Sequence, residues 1–155
     1  AHQEYFQSNN IDIEREVVWN FIGQIQKNKL SKIVNRSDVI QSIDSVELLE
    51  MISKKDISPK LYIQLAANDD ISRGGVRFSN AGALMDKALE LNLTISGVMI
   101  VPPLDIDPKS CFNAAKQFAL AHNLKDLSMG MTGDYESAIE CGSTTLRIGS
   151  AIFAS

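Results

Sequence analysis

The chain has 155 residues and a mass of 17.0 kDa, and its 45% hydrophobic and 22% charged residues are the composition of one ordinary globular domain with an apolar core. A formal charge of -4, with no Lys/Arg block long enough to line a groove, argues against nucleic-acid binding. No apolar run reaches the roughly 18 residues of a membrane span and no charged-then-apolar leader is visible, so the expectation is a soluble chain without membrane association.

In chain order, AHQEYFQSN begins without Met and reads as the middle or end of a helix. VVWNFIG (Val17 to Gly23) is β-branched and aromatic and ends on Gly, which predicts a first strand. Lys27, Lys29 and Lys32 follow and read as a solvated helix face rather than a phosphate track. VIQSID (Val39 to Asp44) predicts a second strand. SVELLEMISKK then predicts a helix capped by Asp44, with Val46, Leu48, Leu49 and Ile52 on one side. KLYIQLAA (Lys60 to Ala67) is the third strand, and FSNAGALMDKALELN is a helix that aligns Leu84, Ala88 and Leu91. TISGVMIVPP (Thr94 to Pro103) is the fourth strand. PKSCFNAAKQFALAHN is a helix with Pro108 in its first turn and Phe112, Ala115, Phe118 and Ala119 along one stripe. DLSMGM (Asp126 to Met131) is the fifth strand, GDYESAIECG a helix between Asp134 and a terminating Gly142, and TTLRIGSAIF (Thr144 to Phe153) the sixth strand.

Strands alternating with helices at this spacing read as βα units sharing a parallel sheet, and the near-continuous apolar strands suit a sheet covered on both faces. An open doubly wound sheet and a closed (β/α)8 barrel both satisfy the pattern. Six strands in 155 residues fall short of a whole barrel, so the sheet is open or part of the barrel lies outside this chain.

Two small, glycine-bearing stretches, SMGM (Ser128 to Met131) and RIGSA (Arg147 to Ala151), sit at the ends of the last two strands. A phosphate dianion is well held by backbone N–H groups at a strand-to-helix turn, where only small side chains permit close approach. The two loops therefore read as the halves of one phosphate cup. The same small residues also serve turn geometry alone. Arg147, inside an otherwise apolar strand, must either pair with Asp126 or Asp134 or aim its guanidinium at a ligand. Cys111 and Cys141 lack CxxC spacing and a nearby His, which argues against zinc and for reduced thiols in a cytosolic compartment. Trp19 and Phe21 read as core residues, His122 as exposed, and Met99, Met129 and Met131 as core or barrel filler.

SMGMTGDYESAIECGSTTLRIGSAIF, with FIGQIQKNK (Phe21 to Lys29), QSIDS (Gln41 to Ser45) and SRGGV (Ser72 to Val76), resembles the pyridoxal 5′-phosphate homeostasis proteins, relatives of the alanine racemase N-terminal barrel. The resemblance covers essentially the whole chain. It implies a (β/α)8 TIM-type barrel with about six of eight strands in this chain, forming one pyridoxal-phosphate-binding domain over residues 1–155 that lacks its N-terminal strands. The function implied is cytoplasmic binding and homeostasis of pyridoxal phosphate by a carrier without established catalysis. The alternatives are a racemase-like enzyme using the same cofactor and a truncated barrel that binds nothing. The implied partner is pyridoxal phosphate, with no nucleic acid and no membrane, in a chain that is monomeric at full length and self-associates if truncated.

By the same resemblance, Ser128, the backbone of Met129, Gly149 and Ser150 contact the phosphate, and Arg147 directs its guanidinium to the pyridine nitrogen. A permanently charged donor there keeps the nitrogen unprotonated and weakens the ring as an electron sink, which suits a carrier. The family's Schiff-base Lys on the first strand and its following Gly-Glu-Asn stretch are not in this sequence, and neither Lys27 nor Lys29 is at the corresponding position. Asn20 stands where the family usually has His, and Arg73 where it commonly has Lys.

Overall fold

The computed structural model describes residues 17–56, 59–67 and 71–153, apart from the side chain of Ser72; the expected helix in AHQEYFQSN lies outside them. Within the described residues the strands are β1 (Asn20–Phe21), β2 (Val39–Ile43), β3 (Lys60–Leu65), β4 (Ile95–Ile100), β5 (Asp126–Met131) and β6 (Thr145–Arg147). The helices between and after them are α1 (Leu30–Val34), α2 (Val46–Ile52), α3 (Phe78–Glu90), α4 (Pro108–Ala121), α5 (Tyr135–Glu140) and α6 (Ser150–Phe153). Short 3-10 turns occupy Lys27–Lys29 and Ile71–Arg73.

Every strand pair is parallel, and the spatial order β1-β2-β3-β4-β5-β6 follows the chain. A doubly wound sheet reverses its order at a switch point; this one does not, which decides for the barrel type of winding. All strand carboxyl ends consequently lie at one rim.

The two faces of the sheet differ in chemistry. Ile40, Leu61, Ile63, Leu65, Val98, Ile100, Leu127 and Met129 pack with helix residues such as Leu49, Ile52, Leu84, Phe112, Ala115 and Ala138 into one apolar core. The alternate positions form rows across the other face, Tyr62–Gly97–Asp126 and Gln64–Met99–Ser128–Thr145. Several of these are polar yet buried, among them Gln41, Gln64 and Ser128.

The central strands match the sequence reading to within a few residues at their ends, and the outer ones do not. The predicted strand over Val17 to Gly23 reduces to Asn20–Phe21, because it pairs with β2 through two residues and leaves Val17 and Val18 exposed. The predicted strand over Thr144 to Phe153 ends at Arg147; past Gly149 the chain turns helical, with Ile152 N–H donating to the Gly149 carbonyl at 2.9 Å. Helix α2 begins after Ser45 rather than Asp44, whose carboxylate instead accepts from the Gly75 N–H at 3.4 Å. Asp107 caps α4 by accepting from the Lys109 N–H at 3.1 Å, with Pro108 in the first turn. Gly142, at φ +93°, ends α5 in the left-handed conformation that glycine adopts without cost.

Phe21 is half-buried against the core, Trp19 is half-buried outside it, and Met99 and Met129 are buried. Met131, expected as filler, is exposed at the rim, since the strand alternation breaks at Gly130 (φ +95°). His122, expected to be exposed, is half-buried with its ring 4.4 Å from that of Phe118, one turn earlier on α4. Among the described residues no helix is long and apolar enough to cross a membrane.

Candidate functional site

The carboxyl ends of β4, β5 and β6 meet around one side chain. Arg147 Nη1 donates to the Ser128 carbonyl at 2.7 Å and to the Ser128 hydroxyl at 2.8 Å, while Nη2 reaches the Ile100 carbonyl at 2.9 Å. The guanidinium thus spans three strands. Neither Asp126 nor Asp134 pairs with it: Arg147 forms no ion pair among the described residues. Burial lowers its proton affinity from the ordinary arginine value, and the field of Asp134 opposes that shift. Asp134 itself is engaged by the backbone, accepting from the Met131 N–H at 2.6 Å. Asp126 lies within hydrogen-bonding reach of the Tyr62 hydroxyl, and burial and that carboxylate together raise the phenol well above its usual value.

The register that delivers Arg147 is fixed by two hydroxyl residues just before β6. Ser143 Oγ lies 2.7 Å from the Met129 carbonyl, 3.0 Å from that of Thr145 and 3.2 Å from that of Leu127, and Thr144 Oγ1 accepts from the Leu127 N–H at 2.8 Å. The pairing then slips between Ser128 and Met131, which brings Arg147 level with the end of β5.

Of the five residues predicted for the site, Arg147 and Ser128 touch directly, and Gly149 and Ser150 form the next turn, from β6 into α6. Ser128 has no exposed surface, and its hydroxyl is engaged by Arg147 rather than presented at the rim. Met129 sits between, its side chain in the sheet–helix core. A Cβ built on Gly149 meets nothing within 4 Å, so space stands open over that turn. Sequence reasoning passed over Thr132: its hydroxyl accepts from the Ala151 N–H at 3.4 Å and joins the exit of β5 to the start of α6. A hydroxyl residue directly after the SMGM strand was the available signal.

Among the described residues, no lysine is hydrogen-bonded or ion-paired to Arg147, Ser128 or Thr132. Lys27 is exposed and paired with Glu47 at 2.5 Å, Lys29 is exposed, and Arg73 and Asn20 are exposed as well. Asn20 Oδ1 accepts from Gln41 Nε2 at 2.7 Å. Among the described residues no group of three His, Cys, Asp or Glu is placed to hold a metal.

A sequentially wound parallel sheet with a guanidinium and an open glycine turn at its strand exits defines the class. The chain belongs to the alanine racemase N-terminal domain family, which matches residues 8–155. Within that class its curated relatives are pyridoxal phosphate homeostasis proteins. It is 32% identical over 168 residues to the one from Pasteurella multocida, covering 97% of this chain and 69% of the relative. It is 30% identical over 156 residues to the one from Mycobacterium leprae, covering 86% of this chain and only 60% of the relative's length. The fold is similar to that of PipY from Synechococcus elongatus, solved with PLP bound: the TM-score is 0.81 at 26% identity, over 98% of this chain and 77% of PipY.

Proposed function

We propose that this chain binds pyridoxal 5′-phosphate at the exits of β5 and β6 and serves cofactor homeostasis as a cytoplasmic carrier, with residues 1–155 acting as one domain. The observation that carries the reading is Arg147: a half-buried cation bonded only to neutral oxygens retains unused N–H donors and an unneutralised charge, which fits an anionic heterocycle. The open space over Gly149 fits the phosphate. Gly149, Ser150 and Thr132 would hold the phosphate, the backbone of Met129 would line the wall, and Arg147 with Ser128 would face the ring end. When bound, the cofactor supplies an aldehyde on a ring whose electron-withdrawing power depends on protonation of its nitrogen. Arg147, a donor that does not give up its proton, would keep that nitrogen unprotonated.

Titration of the chain with pyridoxal phosphate, followed by absorbance and fluorescence, tests the binding. Saturable binding is expected, weakened at least about tenfold by Arg147→Gln. Failure of the unmodified chain to give a saturable signal would sink the reading, and measurable alanine racemization with added cofactor would favour an enzyme over a carrier.

A further inference from the structure

We infer that Ser128 is a positioning residue for Arg147, acting on the ring nitrogen of the bound cofactor through the guanidinium and not on the phosphate. The inference rests on the proposed cofactor reading and adds a role within it.

A guanidinium carries five N–H groups in one plane. Both on Nη1 are used by the two oxygens of Ser128, and one on Nη2 by Ile100. That leaves the second Nη2 proton and the Nε proton for a ligand. A single carbonyl would let the plane rotate; two oxygens from one residue and a third from the neighbouring strand fix its tilt. Ser128 is suited to this because it lies in the row between Met99 and Thr145, on the face that Arg147 occupies, with no exposed surface of its own. Its hydroxyl oxygen, as an acceptor for Nη1, is directed at the arginine.

The choice of neutral oxygens matters as much as the geometry. A carboxylate in the place of Ser128 would hold the guanidinium as firmly but would neutralise it, and Arg147 would then offer less to an anionic ligand. Asp134 is near enough to be felt electrostatically, and its carboxylate is occupied by the Met131 N–H. Ser128 therefore supplies orientation without cancelling charge.

Two measurements on the 155-residue chain test this. In the ligand-free chain labelled with 15N-arginine, the Nη1 protons of Arg147, assigned by their loss in Arg147→Lys, should be resolved and slow to exchange, and Ser128→Ala should collapse them. If they persist unchanged in Ser128→Ala, or are never resolved in the unmodified chain, the positioning role is wrong. The second measurement compares pyridoxal phosphate with its 1-deaza analogue, which keeps the phosphate and lacks the ring nitrogen. Ser128→Ala should raise the dissociation constant of pyridoxal phosphate about tenfold and leave that of the analogue within about twofold. Equal loss for both ligands would place Ser128 on the phosphate and overturn the inference. Should the unmodified chain bind neither ligand, the cofactor reading fails by itself, and the proton exchange of Arg147 alone then decides what Ser128 does.

Discussion

Replacing Gly130 by Ala perturbs the strand exit without removing any side chain. Gly130 has φ +95°, a region that costs an L-residue about 1–2 kcal/mol. A Cβ there would lie 2.6 Å from Ala138 Cβ, 3.0 Å from Leu146 Cδ2 and 3.1 Å from Tyr135 Cα. Overpacking a closed contact of this kind adds about 1–3 kcal/mol. The smaller entropy of the unfolded Ala chain returns about 0.4–1 kcal/mol. The net loss is therefore about 1–4.6 kcal/mol, which at about 2–4 °C per kcal/mol lowers the melting temperature by roughly 2–18 °C. Urea unfolding followed by far-UV circular dichroism should show a lower midpoint at constant slope. Gly149→Ala is the matched control, because its Cβ meets nothing within 4 Å. It should stay within about 0.5 kcal/mol of the unmodified chain while weakening pyridoxal phosphate binding. A Gly130→Ala chain as stable as the original, or a Gly149→Ala chain as unstable as Gly130→Ala, would refute the steric reasoning.

Two further perturbations address the row beneath the site. Tyr62 is held neutral by burial and by Asp126, so its contribution is complete below its ordinary value of about 10 and is lost as pH rises above that. Stability should fall there by up to about 1.4 kcal/mol per pH unit, and Tyr62→Phe should flatten that limb; parallel alkaline limbs in the two chains would contradict it. Gly97 separates Tyr62 from Asp126 in the row, and a Cβ on it would overlap the Asp126 carbonyl and sit 2.6 Å from Asp126 Cβ. Gly97→Ala should cost about 3 kcal/mol by separating β4 from β5, and an unchanged melting temperature would disprove the contact.

The middle of the fold was readable because β2 to β5 are buried on both faces, and an apolar run bounded by turn residues carries that signal unaided. At β1 and β6 it was not, since Val17, Val18, Ile152 and Phe153 are apolar residues that the described structure leaves exposed. The site was legible in its residue types: an arginine in a strand and a glycine turn after it. Its connections were not. Arg147 is held by the carbonyls of Ser128 and Ile100, and main-chain oxygens belong to every residue alike, so no side-chain pattern announces them. Ser143 and Thr132 were missed for a related reason, since a hydroxyl acquires its role only when the fold brings a distant carbonyl or N–H to it. The slip in pairing between β5 and β6, which sets where Arg147 arrives, likewise depends on two strands at once.

An arginine seated on uncharged oxygens also couples ligand occupancy to the folding equilibrium. Its desolvation is borne by the native chain alone, because in the unfolded chain the same group is hydrated. Any anion that reaches it relieves that burden only in the native form. The melting point should accordingly climb with ligand concentration, by about 2.7 kcal/mol of added stability at a hundredfold excess over the dissociation constant. A chain built in this way is least robust without an anion at Arg147, so its stability would track the supply of such a ligand.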